Sequence, residues 1–263
     1  SSIGKLTKGK DYLNPNIELI VDDILEQEQR QKLASFLEKW IKNKINTILK
    51  SLIDLKDLKE KNSSIKAMAY QLYENNGVIK RDQVSEYLKN LEQNERKVLR
   101  DLGVKFGRYH IFLYRLIKPE AVSLRTLLWK NYHQKYFNFK PPTFGLNFLN
   151  DDKIKNKNFM LLCGFEKFDN FFVRIDILER LFVQIINSNV QNEKEVKIVP
   201  EMLNLLGCKK DDFKKLLKNM SYKIIEKENE VYFKYNPKKN FKKLDRKITK
   251  ESPFSVLKNI NFN

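Results

Sequence analysis

Apolar residues recur at three- and four-residue steps through the first hundred positions, and this pattern predicts helical hairpins. The longest stripe holds Leu33, Phe36, Leu37, Trp40, Ile41, Ile45, Ile48, Leu49, Leu52 and Ile53. It predicts one long helix, capped by Asp22 or Asp23 and broken near Ser51. Asn62-Ser63-Ser64 reads as a loop and cap before a helix from Ile65 to Tyr73, which Asn75-Asn76-Gly77 closes. Asp82 is placed to cap a helix through Leu91, and Asn94 another through Leu102 that Gly103 ends. Ahead of all these, Ile3–Leu6 and Ile17–Val21 read as short strands around a turn with Gly9, Asn14 and Pro15.

The centre is less regular. Val104–Leu113 reads as a strand or a buried turn. Pro119 opens a helix carrying Val122, Leu124, Leu127, Leu128 and Trp129. Pro141-Pro142 and Gly145 mark a surface connection between Phe137 and Asn158. A short helix is expected over Phe159–Cys163 and a longer one from Asp176 to about Asn187, with a polar loop over Asn189–Glu195. No self-similarity of fixed period stands out.

Between Val196 and Tyr235 the pattern is most specific. Pro200 starts a short helix through Leu206, and Gly207 punctuates it. A second helix follows from about Lys209 to Tyr222, with Phe213, Leu216, Leu217 and Met220 on its apolar face. Two strand-like runs, Tyr222–Ile225 and Val231–Tyr235, are joined by Glu226–Glu230. This order is that of a winged helix-turn-helix, which sets a helix beside a hairpin against nucleic acid. The fold class expected is mainly α with a small β component. A helical accessory domain with a short N-terminal β element spans 1–158, a winged-helix-like domain spans 159–236, and a basic tail follows over 237–263.

Charge strengthens the nucleic-acid reading. The chain carries 51 Lys+Arg against 33 Asp+Glu, a formal net of +18. Residues 209–250 hold 15 basic and 6 acidic residues, net +9. A concentrated basic field favours phosphate backbones through counterion release. Lysine outnumbers arginine 41 to 10, however, which an A+T-rich genome would impose on any protein. The candidates for phosphate contact are Lys209, Lys210, Lys214, Lys215 and Lys218. A second cluster of cations and aromatics surrounds Gly107: Arg108, Tyr109, Tyr114, Arg115 and Lys118. A third holds Trp129, Lys130, Tyr132, His133, Lys135, Tyr136, Phe137 and Lys140. Such mixtures stack bases and hold phosphates, or else form core aromatics with snorkelling cations. From the second cluster Arg108, Tyr109 and Arg115 are taken as nucleic-acid-binding residues.

Several chemistries lack their motifs. No GxxxxGK[ST] or GxGxxG loop is present, so no catalytic residue and no cofactor is expected in this chain. Two cysteines and two histidines supply no metal-ligand cluster. Cys163 and Cys208 read as core thiols and His110 as a hydrogen-bonded core residue. Few cysteines, no signal-peptide pattern and no membrane-length apolar run fit a cytoplasmic protein without membrane contact. The start at Ser1-Ser2 reads as that of a piece cut from a longer chain.

A family resemblance appears at Leu102–Leu113 (LGVKFGRYHIFL) followed by Leu116-Ile117-Lys118-Pro119, at Leu124–Trp129, at Val173–Leu181, and at Val199–Met202 with Leu206-Gly207-Cys208. With the opening Gly4-Lys5-Leu6-Thr7 and Gly9-Lys10-Asp11, these segments resemble alphaproteobacterial helicase-related proteins, which are similar to the mitochondrial degradosome RNA helicase of superfamily II. The matches run in order from the first residues to about Tyr222. In that family paired RecA-like motor domains bind and hydrolyse ATP. The motor motifs are absent here, so the resemblance implies the region after the motor, with ATP and Mg bound only by the motor. It implies a nucleic-acid-binding accessory region that guides or clamps RNA or DNA, single-stranded by expectation, with a nuclease as a further partner. The alternatives are a free-standing winged-helix DNA-binding regulator and a helical partner-docking module. The resemblance assigns no chemical role to the LGVKFGRYH segment.

Overall fold

Two antiparallel strands open the chain in the computed structural model, which describes residues 3–20, 26–58, 62–134, 138–150, 156–188, 195–228 and 230–236. The expected cap at Asp22 or Asp23, residues Lys135, Tyr136 and Phe137, most of the loop after Asn189 and the basic tail from 237 lie outside the described residues. β1 (Gly4–Asp11) pairs with β2 (Asn14–Leu19). At the turn the Asp11 carboxylate accepts from the Leu13 and Asn14 backbone N–H groups, as Asx residues do.

The long stripe folds as α1 (Gln27–Ile48) and α2 (Lys50–Lys56), breaking at Leu49, close to the expected break near Ser51. Ile41, Ile45, Leu49, Leu52 and Leu55 are buried. Phe36 and Trp40 are not: they stand 62% and 50% exposed and line an apolar groove with Ile3, Leu6 and Leu127. Helical periodicity marked the face, but it overstated how much of that face is covered.

From here one arrangement recurs three times. The first unit is α3 (Ser63–Glu74), β3 (Val78–Lys80), a 3-10 turn over Arg81–Val84 leading into α4 (Ser85–Lys89), α5 (Gln93–Asp101), β4 (Val104–Phe106) and β5 (His110–Leu113). The second is α6 (Pro119–His133), β6 (Phe148–Asn150), α7 (Lys157–Leu162), β7 (Phe165–Phe168) and β8 (Phe171–Arg174). The third is α8 (Ile175–Ser188), β9 (Val196–Lys197), α9 (Pro200–Leu206), α10 (Lys210–Asn219), β10 (Tyr222–Lys227) and β11 (Glu230–Tyr235). In each unit the last strand lies between the other two and antiparallel to both.

The recurrence is regular. The middle strands end at 113, 174 and 235, two successive steps of 61 residues. In every unit a residue in the left-handed region turns the helix end into the next strand: Gly103 (φ +92°), Gly164 (φ +86°) and Ser221 (φ +66°). Leu99, Met160 and Leu217, four residues earlier, are fully buried, as are Ile111, Phe172 and Phe233 in the middle strands. Burial class is kept while residue identity changes, so no period shows in the letters.

Helices carry most of the described chain, with β structure in four small antiparallel sheets: mainly α with some β. Two local expectations are corrected. The helix before Gly103 is capped by Glu92, not Asn94; Glu92 and Glu95 form a reciprocal capping box. The expected connection holds a strand, because β6 pairs with β8; residue 158, the expected boundary, lies in α7, between β6 and the other two strands of that sheet. Arg125 joins two units. It is fully buried on α6 and donates to the carbonyls of Asn76 and Leu162, and burial pushes its pKa down to about 10. Among the described residues no helix is long and apolar enough to cross a membrane.

Candidate nucleic-acid interface

The α10 cations come first because they sit beside a hairpin. Phe213, Leu216 and Leu217 are buried, so α10 turns its polar side outward. Lys209, Lys210, Lys215 and Lys218 are exposed, and Lys214 is half-buried. Lys214 and Lys218 line a recess with Lys223 and Asn236, between α10 and β10. The five lysines are not equivalent. Lys214 Nζ pairs with Glu226 at 2.6 Å and Lys215 Nζ with Asp212 at 3.3 Å. Among the described residues Lys209, Lys210 and Lys218 form no ion pair. The net charge also divides unevenly. Residues 209–236 hold eight basic and five acidic residues, net +3, so most of the +9 belongs to the tail beyond them.

The LGVKFGRYH segment is a hairpin that grips the third unit. Its β4–β5 turn meets the side chain of Glu179 on α8. The carboxylate accepts from the backbone N–H groups of Arg108, Tyr109 (2.9 Å) and His110 (2.8 Å). Gly107 permits this: a Cβ there would lie 2.3 Å from the Glu179 carboxyl carbon. Arg81 holds the turn from the other side, its guanidinium donating to the Gly107 carbonyl at 2.8 Å.

Below the turn lies a buried ionic cluster. His110 and Glu166 are each 2% exposed, with Nε2 and Oε2 2.9 Å apart. Lys80 Nζ reaches Glu166 Oε1 at 2.8 Å, and His110 Nδ1 stands 3.7 Å from Glu179 Oε1. Burial alone would lower the His110 pKa, but the contacts to Glu166 and Glu179 outweigh it and raise the value. Burial would likewise raise the Glu166 pKa, yet the bonds to His110 and Lys80 lower it. These side chains come from β3, β5, β7 and α8, so the cluster fastens all three units to each other.

The three candidates near Gly107 separate. Arg108 is exposed; its guanidinium lies 3.4 Å from the Tyr235 hydroxyl and 5.8 Å from the Phe182 ring centre. Tyr109 is half-buried against Phe182 and shares a hydrogen bond with Tyr222, and burial pushes its hydroxyl pKa up. Its side chain packs between units and offers little face to a base. Arg115 is exposed in the turn over Tyr114–Ile117, apart from the α10 recess. In the third cluster Trp129 is core, tilted against Phe159 and His133, and Lys130 donates to the Phe139 carbonyl. Cys163 is buried and its thiol pKa is pushed up to about 12; Cys208 is half-buried, raised to about 11 by burial.

Sequence reasoning missed Lys80, Lys105, Glu166, Glu179 and Arg180, all charged residues on or beside short strands and helix faces. Nothing in their spacing tied them to the Gly107 turn. The tight Gly107-Arg108-Tyr109 run was the one available hint, since a glycine in a short hairpin marks a close approach. No family model matches this chain, and no curated protein or solved structure matches it either.

Proposed function

We propose that this chain binds nucleic acid through three winged-helix-like units in series, as the post-motor region of an ATP-dependent RNA or DNA helicase. The observation that carries the reading is the recurring order of a helix, a strand, one or two further helices and then two strands, with the last strand in the middle of each sheet. That order sets a helix next to a hairpin, a combination that reads or clamps polynucleotides. In the third unit the outer side of the helix carries Lys209, Lys210 and Lys218 without ion-pair partners among the described residues. The four segments that resemble helicase-related proteins supply the helicase context. The chain guides or clamps the strand in the cytoplasm while RecA-like motor domains bind ATP and Mg; a nuclease is a further partner.

Fluorescence anisotropy with labelled RNA and DNA oligonucleotides over a salt series tests this. Micromolar binding at low salt that weakens with a clearly negative log–log slope is expected. No binding at low salt, or a flat titration, would falsify it.

A further inference from the structure

Between the β4–β5 turn of the first unit and α8 of the third lies a cleft of about 1310 Å³. Six cations line it: Arg81, Lys105, Arg108, Lys118, Arg174 and Arg180. Three acids face them, and two of these are spent locally. Glu179 is held by three backbone N–H groups, and Asp176 accepts two bonds from Arg174, at 2.7 and 3.0 Å. Only Glu201 is left with no such partner among the described residues. Lys105, Arg108, Lys118 and Arg180 are exposed there and form no ion pair among the described residues.

Two of the aromatic rings that line the same cleft, Tyr114 and Phe182, each have a cation against them. Lys118 Nζ lies 4.2 Å from the Tyr114 ring centre and donates to its hydroxyl, and Arg108 covers Phe182 at 5.8 Å. Tyr114 is 38% exposed, so part of its ring faces the cleft. Asn187 and Gln184 of α8 add amide groups along one wall. Cations for phosphates beside partly open rings for bases is the composition of a single-strand site; a stacked duplex offers no base faces to such rings. Arg108 and Phe182 also line the adjoining recess with Tyr235, which extends the path past the turn.

We infer that this cleft is a second nucleic-acid site, separate from α10, which takes a single-stranded polynucleotide with phosphates on Lys105, Lys118 and Arg180 and a base against Tyr114. The inference rests on the nucleic-acid reading above and adds a site and a strand preference to it. The Glu179 latch has a double use in this arrangement: it forms the cleft wall and removes a carboxylate from the phosphate path.

The test uses the full chain with three probes: a 12-nucleotide uridine RNA, a deoxythymidine DNA of equal length, and a 12-base-pair duplex. In one variant Lys105→Ser, Lys118→Ser and Arg180→Ser are combined; these side chains are exposed, and equal thermal melts check the fold. The variant should lose about tenfold or more on single strands, with a salt slope flatter by about 2, from roughly 0.7 per lost phosphate contact. Duplex binding should change less than about twofold. Tyr114→Leu should weaken single strands at least about fivefold, the lower end for one stacked base. An unchanged single-strand affinity in both variants, with wild-type binding intact, overturns the cleft while leaving the α10 reading in place. Equal losses on strand and duplex overturn the strand preference. If the wild-type chain binds none of the probes, the inference and the nucleic-acid reading fail together. A loss on RNA alone, or on DNA alone, supports the cleft and names its strand.

Discussion

Gly107 and Glu179 are 72 positions apart in sequence, yet the space a Gly107 side chain would occupy is filled by the Glu179 carboxylate. The carboxylate then satisfies three consecutive backbone N–H groups that a tight hairpin would otherwise leave to solvent.

This contact predicts coupled substitutions. Gly107→Ala should displace Glu179 and cost about 2–3 kcal/mol, since charged hydrogen bonds are lost together with local geometry. Glu179→Gln keeps the shape with weaker acceptance and should cost about 1–2 kcal/mol. Because both act on one contact, the double variant should cost clearly less than the sum. Urea unfolding of the four proteins measures this, and strictly additive losses would dissolve the latch.

Stability should depend on pH through His110 and Glu166. The folded-state pKa of His110 is raised, so its contribution is complete below the usual histidine value of about 6.5 and is lost as pH rises through the raised value. Glu166 is lowered, so its contribution is present above its ordinary value near 4.5 and is lost as pH falls through the lowered one. His110→Gln should therefore cost about 2 kcal/mol near pH 6. The gap to wild type should narrow as pH rises through the raised His110 value, where the unprotonated imidazole loses the added stability. Melting temperatures of both proteins across that range decide it; a gap that stays constant with pH means the pair is not charged.

The left-handed junctions predict opposite signs for two small substitutions. At Gly164 a Cβ would sit 2.9 Å from the Ile117 side chain at a φ of +86°, so Gly164→Ala should destabilise by about 2 kcal/mol. Ser221 already carries a side chain at φ +66°, and Ser221→Gly should relieve about 0.5–1 kcal/mol. Chemical denaturation of the two variants reads both signs. Destabilisation by Ser221→Gly would mean that its side chain compensates for the strain.

The third unit was legible in the sequence because local signals coincide there. Pro200, Gly207, the apolar face of Phe213 and Leu217, and two strand-like runs all specify the same order of elements. The first two units were not, for physical reasons. β3, β4 and β6 are three residues long, too short for alternation to register, and the pairing of β3 with β5 and of β6 with β8 depends on contacts distant in sequence. The repeat was hidden because a core accepts any apolar residue of suitable volume, so Ile111, Phe172 and Phe233 fill equivalent places. Charge was the least reliable guide. Lys214 and Lys215 looked equivalent to Lys218 until Glu226 on β10 and Asp212, one turn earlier on α10 itself, took them as partners.

That pairing refines which lysines should matter on α10. Lys209, Lys210 and Lys218 are exposed without ion-pair partners among the described residues, and changing all three to Glu leaves the buried face of Phe213, Leu216 and Leu217 untouched. Lys39, Lys42 and Lys66 are exposed on α1 and α3, and changing them to Glu alters net charge equally. If α10 faces the nucleic acid, the first triple should weaken binding about tenfold or more and the second less than about threefold, because exposed charges beyond about 8–10 Å are screened at physiological salt. A third variant works in the other direction. Glu226→Gln releases Lys214 from its 2.6 Å ion pair, and the freed cation should raise affinity about twofold to fivefold at low salt. Anisotropy titrations on one oligonucleotide compare all three. Equal losses from the two triples, together with no gain from Glu226→Gln, would reduce the lysines of α10 to a compositional background and remove the site.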